Sequence, residues 1–196
     1  NVGTMIYQSM SGKIIENPLN GLKYPASAIT EMGGKNALIV TENAELDETV
    51  AGILYSTFAH AGQKCSACSR VLVANSIKDK LIERLREAVL DLQVGKAYDW
   101  ATFVNPVISK EDQDRLRSQV QEAVAEAKEF GGKVIVDRSN EELPGYCVGP
   151  AVIELPFKRA LQEGSFAQTE LFGPVLHIIG YETREDAIEL FNCTNY

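Results

Sequence analysis

Short apolar runs of strand length alternate with longer amphipathic segments along this chain. The runs that predict buried β-strands lie at residues 37–40, 71–74, 133–136, 148–153 and 175–179, with Pro150 weakening the start of the fourth. Apolar residues at helical spacing predict helices over residues 46–60, 81–92, 109–130 and 184–191. The alternation indicates an α/β fold, in which crossover units build a sheet.

Polar residues and chain breakers mark the ends of these elements. Residues 2–10 predict a further short helix, and residues 16–25 predict a loop because they contain two prolines and two asparagines. Asn43 is the predicted N-cap of the helix after the first strand, and Ser109 is the predicted N-cap of the third helix.

Composition and charge narrow the class of protein. The 196 residues, 45% of them hydrophobic, suffice for one good core. The net charge of −8 argues against a nucleic-acid partner, because phosphate binding needs clustered Lys and Arg side chains. No apolar run approaches the roughly 20 residues of a membrane span. Four cysteines do not make a disulfide framework, so a reducing compartment, the cytoplasm, is predicted.

A cysteine stands between a predicted helix and a predicted strand. Cys65 lies in the segment GQKCSA (residues 62–67), where Gly62 permits close backbone approach, Lys64 adds positive potential and Ser66 places a hydroxyl beside the thiol. A partly exposed, electropositive setting favours the thiolate, and a thiolate adds readily to an aldehyde carbon. The alternative is a packed core cysteine, the commonest fate of a free thiol.

Cys65 and Cys68 also form a C-x-x-C pair, which leaves two other chemistries open. A zinc site would need more ligands, yet Cys147 and Cys193 are isolated and the two histidines show no paired spacing, so no metal is expected. A thioredoxin-like pair would follow a strand and open a helix, whereas this pair follows a helix and precedes a strand. A thiol redox or metal-binding domain is the weaker hypothesis.

Two carboxylates stand in segments that contain glycine. Glu31 opens EMGGKN (residues 31–36), where a carboxylate on a tight bend can act as a general base, although a solvated surface carboxylate is the alternative. Glu170 and Phe172 lie in ELFGP (residues 170–174), where a helix cap and a core aromatic are the alternatives to a binding role.

In their order and spacing, the segments EMGGKN, GQKCSA and ELFGP make the chain resemble the aldehyde dehydrogenase superfamily over essentially its whole length. The resemblance implies an α/β catalytic domain, truncated, with an open twisted sheet and helices on both faces. It implies NAD as the cofactor, a small-molecule aldehyde as the substrate, Cys65 as the nucleophile and Glu31 as the base that activates water. Glu170 would bind the nicotinamide ribose hydroxyls, Phe172 would flank the nicotinamide, and residues 1–3, with Gly3, resemble the tail of the turn that cradles the pyrophosphate.

Details of the motifs are most similar to one branch, the dehydrogenases of Δ1-pyrroline-5-carboxylate (L-glutamate γ-semialdehyde), which include the dehydrogenase part of bifunctional proline-utilisation proteins. In that branch Ser66 would help to hold the α-carboxylate of the substrate; another aldehyde is the alternative. Residues 1–33 are expected to be the tail end of a dinucleotide-binding domain, and residues 34–196 a catalytic domain without its C-terminal part. We expect this piece to be inactive alone and the full-length protein to form a homo-oligomer.

Overall fold

The computed structural model describes residues 2–196 and divides into two compact units between Gly33 and Gly34. The predicted domain boundary falls at the same point, but the origin of the first unit in a dinucleotide-binding domain stays a prediction. Asn1, the first residue of the predicted pyrophosphate turn, lies outside the described residues.

The first unit contains a helix and a hairpin. Its elements are α1 (Val2–Met10), β1 (Ile14–Glu16) and β2 (Lys23–Pro25), with the two strands antiparallel. The prediction of a plain loop over residues 16–25 is therefore wrong at both ends. Asn17 N donates to the Leu22 carbonyl (2.9 Å) and the Asn20 side chain accepts from Leu22 N (3.1 Å), so the asparagines that suggested a loop build the turn of the hairpin. Three-residue strands are too short to show an alternating pattern.

The second unit is an α/β domain. Its elements are β3 (Asn36–Val40), α2 (Leu46–Phe58), a 3₁₀ turn (Ala59–Gly62), β4 (Cys68–Ala74), α3 (Asn75–Leu90), α4 (Lys110–Glu129), β5 (Lys133–Asp137), β6 (Ala151–Leu155), α5 (Phe157–Ala160), β7 (Val175–Tyr181) and α6 (Arg184–Asn192). Each strand and helix predicted for this unit is present, although α3 begins earlier than predicted and α5 was not predicted.

Caps explain two of the helix starts. Ser109 is the N-cap of α4, as predicted, and its Oγ accepts a hydrogen bond from Asp112 N at 3.1 Å. The prediction that Asn43 caps α2 is wrong, because the carboxylate of Glu45 accepts from Glu48 N at 2.7 Å and takes that role.

The strands form one sheet in the order β3-β4-β7-β6-β5, parallel except for β5, which is antiparallel to β6. Arg70 of β4 is in register with His177 of β7, and its guanidinium reaches the end of α6 on that face. Glu154 of β6 is in register with Ile178, the next residue of β7, and binds Lys78 of α3 on the opposite face. Helices therefore cover both faces, as predicted.

Apolar side chains of the central strands are fully buried between these helix layers. They include Val71, Leu72, Ile153, Ile178 and Ile179. Within residues 2–196, no helix has the length and apolar character needed to cross a membrane.

Candidate active site

Three segments enter neighbouring strands at the same edge of the sheet. Residues 34–36 lead into β3, residues 62–67 into β4 and residues 170–174 into β7. Because β3, β4 and β7 are adjacent and parallel, their amino ends lie side by side. The segments that carry most of the predicted chemistry thus come together at the amino edge, although Gly34 and Glu170 are 136 residues apart in sequence.

Cys65 stands exposed on a tight turn. The turn is closed by a hydrogen bond from Ala67 N to the Lys64 carbonyl at 3.0 Å. Asn36 fixes the turn from the side, because its Nδ2 donates to the carbonyls of Cys65 (2.7 Å) and Ala67 (3.2 Å). The backbone on both sides of the thiol is held while the sulfur is left accessible, which is the arrangement that a nucleophile needs.

Two glycines allow the segments to approach each other closely. A Cβ on Gly34 would lie 2.8 Å from the Cys65 carbonyl oxygen. A Cβ on Gly62 would lie 2.2 Å from the Gly173 carbonyl oxygen, and Gly62 also adopts a left-handed φ of +69°. Side chains at these two positions would force the edge segments apart.

Backbone strain is concentrated around this edge. Three non-glycine residues of the described chain have left-handed φ angles: His60 (56°), Ala61 (53°) and Phe172 (54°). Two precede the cysteine turn and the third lies in the segment opposite. Each such residue costs on the order of 1–3 kcal/mol, and such residues cluster where a site must hold a fixed geometry.

Only one of the two carboxylate oxygens of Glu170 accepts a hydrogen bond within residues 2–196. Its Oε1 accepts from Gly34 N at 3.0 Å, and within residues 2–196 no donor is bonded to Oε2. Phe172 is 42% exposed on the same segment, which Arg115 anchors by donating to the Leu171 carbonyl at 2.9 Å. We call the surface between the segments the Glu170 groove; it is lined by residues that include Gly34, Lys35, Gly62, Cys68, Glu170 and Phe172.

Cys68 differs from Cys65 in its burial. It is buried as the first residue of β4, and its Sγ lies 3.2 Å from the Arg70 carbonyl. Burial raises the pKa of the Cys68 thiol. Both cysteines are free thiols, and among the described residues no group of three or more His, Cys, Asp and Glu side chains could hold a metal ion. Of the C-x-x-C pair, Cys65 is therefore the thiol that is exposed.

The predicted site residues fall in both units. Cys65, Ser66, Glu170 and Phe172 lie at the amino edge of the second unit, with Ser66 exposed beside the thiol. Glu31 and Gly3 lie in the first unit, Glu31 on an exposed segment and Gly3 in the first turn of α1. A Cβ on Gly3 would lie 2.7 Å from Met32 Sδ, a contact that the exposed, flexible Met32 side chain could relieve by moving. The roles predicted for all six residues stay predictions.

Sequence reasoning missed two residues of the amino edge. Asn36 has the hydrogen bonds described above, and Lys35 has a side chain that is only 3% exposed and lines the Glu170 groove. Burial, followed by the nearby Arg70 charge, lowers the pKa of Lys35 to about 7. Their only sequence signal is their place between a glycine pair and an apolar strand.

A separate cleft of about 640 Å³ lies at the carboxyl ends of β3, β4 and β7. Its lining includes Asn43, Asn75 and Arg184. Open α/β sheets often bind ligands at such an edge. However, this cleft contains neither a thiol nor any predicted site residue, so we place the candidate active site at the amino edge.

Comparison with known proteins gives a consistent result. The sequence profile of the Aldehyde dehydrogenase family matches residues 2–196. Among curated proteins, 1-pyrroline-5-carboxylate dehydrogenase of Staphylococcus haemolyticus is 34% identical over 195 residues, which are 99% of this chain and 35% of that protein. The protein of the same name from Staphylococcus aureus (strain JH1) is 33% identical, again over 99% of this chain and 35% of that protein.

Solved structures resemble the chain closely as well. Betaine aldehyde dehydrogenase from Staphylococcus aureus in complex with NAD⁺ is 36% identical with a TM-score of 0.74, covering 85% of this chain and 32% of that one. Methylmalonate-semialdehyde dehydrogenase from Oceanimonas doudoroffii is 26% identical with a TM-score of 0.73, covering 84% and 33%. The chain thus spans about a third of the length of the curated relatives it matches.

Proposed function

This chain belongs to the aldehyde dehydrogenase family, and we propose that its protein oxidises L-glutamate γ-semialdehyde, the open form of Δ1-pyrroline-5-carboxylate, to L-glutamate with NAD⁺. One observation carries the proposal. The exposed thiol of Cys65 lies on a turn that Asn36 fixes, at the same edge as the half-free carboxylate of Glu170.

Cys65 would act as the nucleophile. Its thiolate adds to the aldehyde carbon and gives a thiohemiacetal on the sulfur. NAD⁺, when bound, supplies the acceptor for the hydride that leaves this carbon, and a thioester is left on Cys65. Glu31 would then take a proton from the water that hydrolyses the thioester, which releases the acid and frees the thiol.

The chemistry of the segment that carries Glu170 supports a role in binding the ribose of a nicotinamide cofactor. A ribose diol needs hydrogen-bond acceptors; Glu170 offers one oxygen that no donor of residues 2–196 reaches, while Gly34 N orients the other. Phe172 offers an exposed ring on the same segment. Gly3, in the first turn of α1, would lie near the pyrophosphate, because the free N–H groups of a helix start bind phosphate oxygens.

Two observations favour this substrate: the names of the curated relatives and the exposed hydroxyl of Ser66. The curated relatives that match the chain are named for 1-pyrroline-5-carboxylate, and the exposed hydroxyl of Ser66 beside Cys65 can donate to a substrate carboxylate. Betaine aldehyde is the second candidate, because a structural relative 36% identical is named for it. The two substrates differ in charge, since the first presents a carboxylate and the second a quaternary ammonium.

Initial rates of the full-length protein with each aldehyde test this proposal. We expect a higher kcat/KM for glutamate semialdehyde, and we expect Ser66→Ala to lower that value by about tenfold or more, the size of a lost hydrogen bond to a charged group. The same variant should leave the oxidation of betaine aldehyde unaltered. Faster oxidation of betaine aldehyde by the parent protein would overturn the assignment of the substrate.

Assembly and location belong to the same proposal. We propose that the full-length protein forms a homo-oligomer in the cytoplasm. Sedimentation at micromolar protein concentration tests the first part, and a monomeric full-length protein would contradict it.

A further inference from the structure

Lys35 is held in an unusual position beside Glu170. Its backbone is fixed because Arg70 donates to the Lys35 carbonyl from Nε (3.1 Å) and from Nη2 (2.7 Å). The preceding residue, Gly34, donates to Glu170. With its main chain anchored in this way, the Lys35 side chain is buried and lines the Glu170 groove.

The amino group of Lys35 lacks a protein partner. Within residues 2–196 no acceptor is hydrogen-bonded to its Nζ, and no carboxylate oxygen lies within 4.0 Å of it among the ion pairs of the described chain. Burial of Lys35 makes its charged form costly, so its charge responds strongly to other charges nearby. The charged and titratable groups that surround it come from several elements: Arg70 and Cys68 on β4, Glu170 before β7, His177 on β7 and Glu126 on α4.

The enclosed part of the groove is small. Its volume is about 20 Å³, room for roughly one water molecule. A ligand at Glu170 and Phe172 would therefore lie outside the enclosed part, and Lys35 would act on it mainly through its electric field. Such a field distinguishes ligands by their charge.

We propose that Lys35 is a positioning residue that senses the oxidation state of the cofactor: its neutral amine favours the positively charged ring of NAD⁺, and its ammonium form favours the uncharged ring of NADH. The proposal rests on the proposed function, because it requires the nicotinamide to lie at the Glu170 groove.

Proton binding at Lys35 and cofactor binding are thermodynamically linked, and this linkage gives the size of the expected effect. The ordinary pKa of lysine lies far above neutrality, but burial brings that of Lys35 to about 7, so both forms of the side chain are populated near neutral pH. If protonation of Lys35 weakens NAD⁺ relative to NADH by some factor, bound NADH raises the proton affinity of Lys35 over bound NAD⁺ by the same factor. At an effective dielectric of about 20, two unit charges give a factor of about ten or more at any separation up to about 10 Å.

Binding measurements on the full-length protein test the proposal without turnover. Every protein in this test carries Cys65→Ser, and this variant is called the parent. The substitution prevents turnover and removes a thiol that could contribute to the pH dependence. Dissociation constants for NAD⁺ and NADH are measured by calorimetry from pH 5.5 to 9. We expect the ratio Kd(NAD⁺)/Kd(NADH) to fall about tenfold as the pH rises through about 7.

Two variants of this parent separate Lys35 from other sources of pH dependence. Adding Lys35→Met, which keeps the length of the side chain without the charge, should fix the ratio near its high-pH value. Adding Lys80→Met, which removes an exposed lysine on α3, should leave the pH dependence intact. A constant ratio in the parent, or a pH dependence that survives Lys35→Met, overturns the inference.

The number of protons that the Cys65→Ser protein releases or takes up on binding the cofactor provides a test even if Lys35→Met fails to fold. Calorimetry in two buffers of different ionisation enthalpy should show more proton release at pH 7 when NAD⁺ binds than when NADH binds, because only the NAD⁺ ring carries a positive charge that opposes the ammonium form. Equal proton counts for the two forms overturn the inference. Failure of the proposed function would give a different result. In that case neither NAD⁺ nor NADH would bind, or Glu170→Gln would bind both cofactor forms as tightly as the parent.

Discussion

Gly62→Ala tests whether close approach of two backbone segments sets the geometry of the thiol. Gly62 has φ +69°, which costs an alanine about 1–2 kcal/mol. The added Cβ would also lie 2.2 Å from the Gly173 carbonyl oxygen and 2.6 Å from its carbon. Both are backbone atoms, so no side chain can turn aside, and one of the segments must move by about 1 Å to restore ordinary contact.

The expected loss follows from these two contributions. Overpacking of this kind costs about 1–3 kcal/mol, so the total is about 2–5 kcal/mol. Cys65 follows three positions later, on the turn after the one that Gly62 ends, and a misplacement of about 1 Å at a reacting group can lower the rate about 100-fold. We expect Gly62→Ala to lower both the melting temperature and the kcat/KM of the full-length enzyme.

Gly131→Ala is the matched control. Gly131 follows α4 with φ +77°, and a Cβ there meets no heavy atom within 4 Å. It should lower the melting temperature less than Gly62→Ala does, from the backbone conformation alone, and retain its kcat/KM. Thermal unfolding and initial-rate assays on both variants decide the matter: if Gly62→Ala matches Gly131→Ala in melting temperature and activity, the steric argument is refuted.

Four other substitutions test the site and the core. Cys65→Ser should abolish turnover, since an alcohol is a far poorer nucleophile than a thiolate, while Cys68→Ser keeps most activity; the reverse pattern in a steady-state assay would contradict the assignment. Glu31→Gln should slow release of the acid by about 10²- to 10⁴-fold, so a burst of NADH should precede slow turnover, and a wild-type steady state would leave Glu31 without a catalytic role. Burial holds the pKa of His177 well below 6.5, so below that pH the unfolded chain binds a proton that the folded chain does not. Stability should therefore fall as the pH drops below about 6.5 and fall less in His177→Leu; equal slopes in urea unfolding between pH 5 and 7 would count against this.

The sequence predicted the segments of the site better than their arrangement. EMGGKN, GQKCSA and ELFGP could be located because each stands directly before an apolar strand. Their convergence could not be predicted, because it depends on β4 lying beside both β3 and β7, and β7 follows β4 by about a hundred residues. Such pairing is decided by tertiary packing rather than by local pattern.

The missed features have local physical causes. The hairpin of β1 and β2 has too few residues to alternate, and Glu45 displaced Asn43 as a cap because its longer side chain folds back to Glu48 N. Burial of Lys35 runs against the general preference of lysine for the surface. The Lys35 carbonyl accepts from Arg70, which only the folded chain brings near, so no local pattern could indicate this environment.

Arg70 has a consequence for the order of folding. Its guanidinium, 2% exposed in the folded protein, donates both to the Lys35 carbonyl and to the Leu190 carbonyl at the end of α6, 120 residues away in sequence. Before α6 docks, water must satisfy the donors that later face the helix, so burial of the sheet centre cannot be completed by local pairing of β3 with β4. Docking of α6 therefore requires the long stretch of chain between Arg70 and Leu190 to close into a loop. Closing a long loop is entropically costly, and this cost slows folding. Amide hydrogens of β3 and α6 should consequently acquire protection from exchange together, although the two elements stand at opposite ends of the domain's sequence.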